Sequence, residues 1–184
     1  MADFSATQLL DPMTLLTGVG IKQGDTVADF GCGTVGHFVF PAGKLVGAEG
    51  KVYAIDIQKG VVAAIESRSK SDAANNVIAL WGDIERAGGV RVPDATFDLS
   101  LLVNNLFLTK QRDALAQELK RTTKPGGTLL VLDWVQSLAT IGPAVQDRVS
   151  PAFAKELFAK YGFVLDREFQ AGVQHWGLVF KRTA

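Results

Sequence analysis

The chain has 184 residues, and 47% of them are hydrophobic, which is enough for one domain with a core on both faces of a sheet. Nineteen basic residues balance nineteen acidic ones, so no overall field draws the chain toward nucleic acid or an anionic membrane. These figures favour a small molecule as the partner and argue against a nucleic acid.

The first half of the chain alternates strand and helix signals. Asp11 and Pro12 open a short helix, as N-cap and first-turn proline, and Gly18 and Gly20 end it. Apolar runs then predict strands at 26–30, 51–56 and 76–81, with helices at about 37–47 and 58–69. This alternation predicts a parallel sheet with crossover helices.

The second half continues the alternation and ends differently. Its patterns predict strands at 97–103 and 127–133, helices at about 110–122 and 151–161, and a turn at 124–127. Two last strands, 163–169 and 174–180, are joined by a link too short for a parallel crossover. The predicted fold class is therefore α/β, with a seven-stranded, mostly parallel sheet, a C-terminal antiparallel hairpin and helices on both faces.

We interpret residues 1–184 as a single domain, with 1–20 as an N-terminal helical extension and 21–182 as the core. No apolar run reaches the roughly 18 residues that span a bilayer, and the N-terminus lacks the pattern of a secretory leader. We therefore expect no membrane span and a cytoplasmic protein. The only cysteine, Cys32, excludes an internal disulfide and a cysteine-based zinc cluster.

A glycine-rich loop after the first predicted strand is the main functional signal. That strand ends in Asp29, and Gly31, Gly33 and Gly36 follow. Closely spaced glycines let backbone N–H groups approach a nucleotide-type cofactor more closely than side chains would allow. Such a loop alone is weak evidence, because turns and helix caps also need glycine.

Two further acids make the signal more specific. Asp56 ends the second predicted strand, and Asp83 follows the third. An acid at the tip of the strand beside a glycine loop can accept hydrogen bonds from both hydroxyls of a ribose. Each acid taken singly could instead be a solvent-facing residue at a strand end. Three acids at successive strand tips favour a binding role.

The acid before the glycine loop, the acids after the next two strands, the turn at 124–127 and the closing hairpin together resemble class I S-adenosylmethionine-dependent methyltransferases. The resemblance covers about residues 20–182. Residues 44–56, 130–134 and 175–178 look most like small bacterial proteins related to ubiquinone/menaquinone-biosynthesis C-methyltransferases and arsenite methyltransferases. The resemblance implies a Rossmann-like sheet, S-adenosylmethionine as cofactor, S-adenosylhomocysteine as product and a small-molecule methyl acceptor.

The resemblance also assigns the loop. It places Asp29 near the methionine ammonium group and Gly31 and Gly33 against the cofactor backbone. The usual loop has its third glycine one residue earlier, so we align Gly36 with that glycine and treat Val35 as an insertion. The insertion could leave the loop able to close over the cofactor, or it could weaken binding.

Further cofactor contacts follow from the same resemblance. Asp56 would hold the ribose hydroxyls, and Ile57 would pack on the adenine face. Asp83 would accept a hydrogen bond from the adenine amino group, and the backbone of Ile84 would meet a ring nitrogen. Asn104, after the fourth strand, would lie beside the transferable methyl group.

Catalytic residues are harder to assign, because methyl transfer mainly needs its reactants aligned. Should the acceptor need deprotonation, Asp133 and His175 are the candidate bases. His175 lies on the final hairpin, so it either contacts the acceptor or is structural. With His37 as the only other histidine, no metal site is expected. Cys32 is interpreted as a small buried side chain.

Three alternatives stay open. A cofactor-binding module without transferase activity would share every motif above, and a dehydrogenase using nicotinamide would share the loop and Asp56. A fibrillarin-type RNA 2′-O-methyltransferase would need lysines beside its active site, where this chain has Asp133 and Trp134. The acceptor, the element that is methylated and the oligomeric state are not determined by these patterns.

Overall fold

Five α-helices and seven strands alternate along residues 10–136 and 141–184, the part of the chain described by a computed structural model. A short 3₁₀ helix, Val145–Asp147, precedes the last α-helix. The elements in chain order are α1 Pro12–Gly18, β1 Thr26–Phe30, α2 Val39–Val46, β2 Lys51–Asp56, α3 Lys59–Ser71, β3 Val77–Trp81, β4 Phe97–Val103, α4 Arg112–Thr122, β5 Thr123–Trp134, α5 Pro151–Lys160, β6 Phe163–Ala171 and β7 His175–Arg182.

The strands form one sheet in the order β3-β2-β1-β4-β5-β7-β6. Strands β1 to β5 are parallel to their neighbours, whereas β7 runs antiparallel to both β5 and β6. The predicted fold class is confirmed. The order reverses between β1 and β4, and ligands of open α/β sheets bind beyond the carboxyl ends of the strands at such a point. We call this side of the sheet the carboxyl edge.

Apolar side chains bury both faces of the sheet. One face packs under α1, α2 and α3, with Leu16 and Ile65 in its core, and the other under α4 and α5, with Leu119 and Phe158. Strands covered on both faces need apolar residues at successive positions, which is why β5 contains a continuous run of leucine and valine. This packing holds the strand tips in fixed register.

Helix α2 begins at Val39, two residues later than its pattern predicts. His37 lies in the preceding turn, and its Nε2 is 3.0 Å from the carbonyl oxygen of Leu10. Gly36 has a φ of 58°, outside the helical range. The turn therefore takes up residues that the apolar pattern alone assigns to the helix.

Strand β5 begins at Thr123, earlier than predicted, because the segment 124–127 is a bulge in the strand and not a separating turn. The register with β4 shifts there: Phe97 pairs with Thr123, and Leu99 pairs with Thr128. Gly126 has a φ of 75°, which glycine adopts without strain. Helix α4 nevertheless ends at Thr122, as the sequence predicts.

The N-terminal helix forms as expected, with Asp11 as N-cap: its Oδ1 accepts a hydrogen bond from the Met13 amide at 3.1 Å. Residues 1–9 of the predicted extension lie outside the described part of the chain. Among the described helices, none combines the length and the apolar composition that crossing a membrane requires.

Candidate functional site

The carboxyl edge brings together two acids that the sequence predicts for the site. Asp29 is the penultimate residue of β1 and is 3% exposed, and Asp56 ends β2 and is 7% exposed. In the parallel register Asp29 lies opposite Ala54, two residues before Asp56. A pair of carboxylates at neighbouring strand tips suits a ligand that carries a cation and several hydroxyl donors.

The glycine loop turns sharply over the end of β2. The amides of Gly31 and Cys32 both donate to the carbonyl oxygen of Ile55, at 2.8 and 3.1 Å. Gly31 and Gly33 have φ values of 78° and 65°, in the left-handed region that favours glycine. A Cβ on Gly33 would meet nothing within 4 Å, so this side of the loop is open for a ligand.

Val35, which we align as an insertion, lies in a turn that follows Gly33. The Gly36 amide donates to the Gly33 carbonyl oxygen at 3.2 Å, and Val35 is 47% exposed. Its carbonyl oxygen accepts a hydrogen bond of 2.6 Å from Arg68 Nη1, and that guanidinium lies 4.0 Å over the ring of Phe40. The insertion is therefore held by α3, and Gly31 and Gly33 keep their tight turn.

Gly36 has a packing role in the structure. A Cβ there would lie 2.8 Å from Ile65 Cδ1 and 2.9 Å from Phe40 Cε2. The third glycine of a nucleotide-binding loop commonly permits such close packing of helix and strand. This environment agrees with the alignment of Gly36 to that position.

Burial, and then the nearby Asp56 carboxylate, raise the pKa of Asp29 to about 7. A carboxyl group in this state gains from a cation placed beside it, because the cation compensates both effects. Burial also raises the pKa of the Cys32 thiol, followed by the charges of Asp29 and Asp56. A thiol so far from ionisation is a poor nucleophile, in agreement with its interpretation as a small buried residue.

The remaining predicted cofactor residues lie around the same edge. Ile57, just after β2, is 54% exposed, so its side chain is accessible to a ligand. Asp83 is half-buried and its Oδ1 accepts from the Glu85 amide at 3.0 Å, while Ile84 packs on the apolar core. These three positions border the side of the crevice formed by β2 and β3.

Asn104 and Asn105 follow β4 and have different environments. Asn104 has a φ of 54°, and neither polar atom of its buried amide has a hydrogen-bond partner in the described residues. An unpartnered buried amide is costly without a ligand. Asn105 Nδ2 donates to the Gly31 carbonyl oxygen. The sequence showed Asn105 only as a polar break in an apolar run, so this contact to the glycine loop was missed.

The two candidate bases are both fully buried. Asp133 Oδ1 accepts from the Trp134 amide at 2.8 Å, and Oδ2 accepts from the Phe107 amide at 3.2 Å. Burial raises the pKa of Asp133 to about 6, against the effect of these amides. The Asp133 side chain thus fixes the loop after β4, and its assignment as a general base remains a prediction.

His175 pairs with Trp134 across β5 and β7, and the two rings lie 4.3 Å apart. Burial, and then the charge of Arg148, lower the pKa of His175 to about 4, so the imidazole is neutral. Neither ring nitrogen has a hydrogen-bond partner among the residues described. The contact of His175 with an acceptor likewise remains a prediction.

Arg148 organises the segment after β5. The residue is 4% exposed, and its guanidinium donates to the carbonyl oxygens of Val135, Ile141 and Pro143 at 2.8, 2.9 and 3.0 Å. It also lies 5.6 Å over the ring of Trp134. Residues 137–140 of this segment lie outside the described part of the chain.

A cavity of about 450 Å³ lies between α1 and β6. Its lining is mainly apolar, with Leu15, Val19 and Phe169 among the residues that form it, and Arg167 at its side. The cavity also reaches Leu10, whose carbonyl oxygen contacts His37 beside the glycine loop. Residues of the N-terminal helix therefore form one wall of this cavity.

A comparison with known families assigns the chain to a protein family. A family model described as "Methyltransferase domain" matches residues 21–170. The chain belongs to the class I S-adenosylmethionine-dependent methyltransferases. The predicted family, enzyme class and cofactor are thereby confirmed, and the dehydrogenase is set aside.

Curated relatives of this methyltransferase match only part of its length. A demethylmenaquinone methyltransferase of Geobacillus stearothermophilus is 28% identical over 118 residues, which are 64% of this chain and 49% of that protein. A ubiquinone/menaquinone biosynthesis C-methyltransferase of Neisseria meningitidis is 33% identical over 114 residues, 62% of this chain and 44% of that protein. The chain thus spans about half the length of these relatives.

Solved structures match the methyltransferase over nearly its whole length. A SAM-dependent methyltransferase from Aquifex aeolicus has a TM-score of 0.88 at 27% identity and covers 97% of this chain and 93% of that one. A putative type 11 methyltransferase from Sulfolobus solfataricus has a TM-score of 0.75 at 25% identity, with 96% and 94% covered. The whole arrangement of helices and strands, including the final hairpin, is therefore that of a methyltransferase.

Proposed function

We propose that this methyltransferase transfers the methyl group of S-adenosylmethionine to a small-molecule acceptor at the carboxyl edge. The observation that carries the proposal is the pair of buried carboxylates, Asp29 and Asp56, beside the open face of the glycine loop. The cofactor has a matching set of groups: an ammonium, a ribose diol and an adenine. Bound S-adenosylmethionine supplies an electrophilic methyl group on a positively charged sulfur.

The residues of β1 and β2 would hold the cofactor by charge and hydrogen bonding. Asp29 lies where it would face the ammonium group, and the raised pKa of its carboxyl falls when a cation is near. Asp56 would accept hydrogen bonds from the ribose hydroxyls, and Gly31 and Gly33 would face the methionine backbone. Ile57 would cover the adenine ring, since it is exposed at the rim.

The residues after β3 and β4 would complete the orientation. Asp83 would accept from the adenine amino group, and the backbone of Ile84 would meet a ring nitrogen. Asn104 would lie beside the methyl group. The polar atoms of its amide, which have no hydrogen-bond partner among the described residues, would face the cofactor. Alignment of a nucleophile with the methyl group can by itself lower a barrier by roughly 7 to 11 kcal/mol. An acceptor that is already nucleophilic would therefore need only alignment, and one that must lose a proton would need a base.

The acceptor is proposed as a small, largely apolar molecule. The cavity between α1 and β6 has an apolar lining, and the chain as a whole has no excess of positive charge for nucleic acid. One curated relative is named a demethylmenaquinone methyltransferase, and another a ubiquinone/menaquinone biosynthesis C-methyltransferase. Reduced demethylmenaquinone is accordingly the first acceptor to try.

The test is to incubate the protein with methyl-labelled S-adenosylmethionine and either reduced demethylmenaquinone or separate small-molecule, protein and RNA fractions of a cell extract. Label in a small molecule, reduced with Asp56→Ala at a low cofactor concentration, supports the proposal. Label in RNA supports the 2′-O-methyltransferase alternative, and binding without transfer to any fraction contradicts the proposal. Once an acceptor is known, unchanged turnover by Asp133→Ala or His175→Ala removes that residue as a base.

A further inference from the structure

Asn105 uses its side-chain amide to bridge two strand ends. Its Nδ2 donates to the carbonyl oxygen of Gly31 at 2.9 Å and to that of Val103 at 2.8 Å. Each carbonyl can take one of the two protons of the amide nitrogen. The glycine loop after β1 is thus tied to the end of β4 by one side chain, 74 residues further along the chain.

The fit between Asn105 and Gly31 is close. A Cβ on Gly31 would lie 2.3 Å from Asn105 Oδ1, a separation that no real side chain reaches. Only glycine therefore allows the amide of Asn105 to lie against the loop backbone. The φ of 78° at Gly31 adds a second reason for glycine at this position.

This contact sets the direction of the loop amides. The peptide group that joins Gly31 to Cys32 is planar, so its C=O and N–H point in opposite directions. Its C=O is bound by Asn105, and its N–H donates to the Ile55 carbonyl oxygen at 3.1 Å. The Gly33 amide that follows is left facing Asp56.

Asn105 is itself held rigidly. Its backbone carbonyl oxygen accepts hydrogen bonds from the amides of Leu108 and Thr109, at 3.1 and 3.0 Å, and from Thr109 Oγ1 at 2.8 Å. The next turn of this loop is fixed by the Phe107 amide, which donates to Asp133. A side chain mounted on such a turn can hold a partner loop in one geometry.

We propose that Asn105 is a positioning residue that orients the glycine loop for the amino-acid half of the cofactor. It acts through Gly31 and does not touch the cofactor. The inference rests on the proposed placement of the methionine group against Gly31 and Gly33. It assigns Asn105 no part in holding adenine or ribose, which lie toward β2 and β3.

Asn76 provides a matched control. Its Nδ2 also donates to two backbone carbonyl oxygens, those of Gly43 and Gly47, at 2.8 and 2.9 Å. These contacts lie before β3, at the opposite edge of the sheet from the glycine loop. Replacing either asparagine by alanine removes two hydrogen bonds from a side-chain amide to backbone carbonyl oxygens. Only the bonds of Asn105 involve the glycine loop.

The experiment measures the dissociation constants of S-adenosylhomocysteine and 5′-methylthioadenosine, which lacks the amino-acid group, by calorimetry. Asn105→Ala is expected to weaken the binding of S-adenosylhomocysteine by about tenfold, since each lost hydrogen bond typically counts for a factor of a few. The affinity for 5′-methylthioadenosine should change by less than about threefold, because this ligand lacks the group that the loop would orient. Asn76→Ala should leave both affinities unchanged. Should Asn105→Ala not fold, Asn105→Ser, which keeps one donor, replaces it.

Equal losses for the two ligands in Asn105→Ala would overturn the inference, because a purely structural role affects both. An affinity for S-adenosylhomocysteine equal to that of Asn76→Ala would overturn it as well. Failure of the proposed cofactor placement would look different. Either the wild-type protein would bind neither ligand, or Asp56→Ala would bind both ligands as tightly as the wild type does.

Discussion

The backbone amide of Gly33 donates a hydrogen bond to the Asp56 carboxylate, with 3.3 Å between N and Oδ2. The other oxygen of the same carboxylate accepts from the Gln58 amide at 2.9 Å. Asp56 therefore joins the glycine loop after β1 to the start of α3. A ligand that hydrogen-bonds to this carboxylate meets a group whose orientation the backbone has already fixed.

Asp56→Ala is expected to weaken S-adenosylhomocysteine binding by about 10- to 100-fold, because hydrogen bonds to a charged group contribute roughly 1.5 to 3 kcal/mol. Calorimetry measures the change. Asp25→Ala is the control, since that carboxylate also accepts a loop amide, from Lys22 at 2.8 Å, but precedes β1. Equal affinities for the wild type and Asp56→Ala would refute the ribose assignment.

Cofactor binding should depend on pH through Asp29, whose pKa is raised to about 7. Below that pH the carboxyl group is protonated and attracts an ammonium group weakly. The affinity for S-adenosylhomocysteine is expected to rise by up to about tenfold between pH 6 and pH 8, as the ionised fraction rises. In Asp29→Asn the rise should be absent, and a rise of the same size in that variant would exclude Asp29 as its source.

Asp29 also makes stability depend on pH. Its pKa in the folded protein lies above the ordinary value of 3.8, so between about pH 4 and pH 7 the folded state binds more protons than the unfolded state. The free energy of unfolding therefore falls as pH rises through this range. Urea titrations at several pH values should show a shallower fall in Asp29→Asn than in the wild type.

His175 acts in the opposite direction. Its pKa is lowered from 6.5 to about 4, so the unfolded state binds more protons between these values, and stability is lost as pH falls through them. His175→Phe keeps a ring against Trp134 and removes the proton site. The variant should lose less stability than the wild type between pH 6.5 and pH 4 in urea unfolding, and equal losses would contradict the assignment.

Gly36→Ala is expected to destabilise the protein by about 1 to 3 kcal/mol, since the new Cβ meets Ile65 and Phe40 and the backbone is left-handed. Gly60→Ala, in the first turn of α3 where a Cβ meets nothing within 4 Å, should be neutral or stabilising by about 0.5 kcal/mol. Thermal or urea unfolding compares the two. A neutral Gly36→Ala would show that the loop and α3 are not closely packed.

The predicted strands agree with the structure where periodicity and glycine or proline signals coincide, as at β1, β2 and β4. The predictions fail where a long-range contact overrides the local pattern. The start of α2 is displaced by the turn at Gly36 and His37, and the segment 124–127 joins β5 as a bulge because β4 lies beside it. The distant partners are Leu10, whose carbonyl oxygen contacts His37 in that turn, and strand β4.

The alternation of strands and helices is readable from the amino-acid pattern, and with it the placement of Asp29, Asp56 and Asp83 at one edge, because parallel strands place all their carboxyl ends on the same side. Three contacts emerge only in the folded chain: Asn105 lies against Gly31, Asp133 binds the Phe107 amide, and His175 is buried beside Trp134. These contacts join residues far apart in the chain. They depend on strand register and side-chain packing, which local periodicity does not encode.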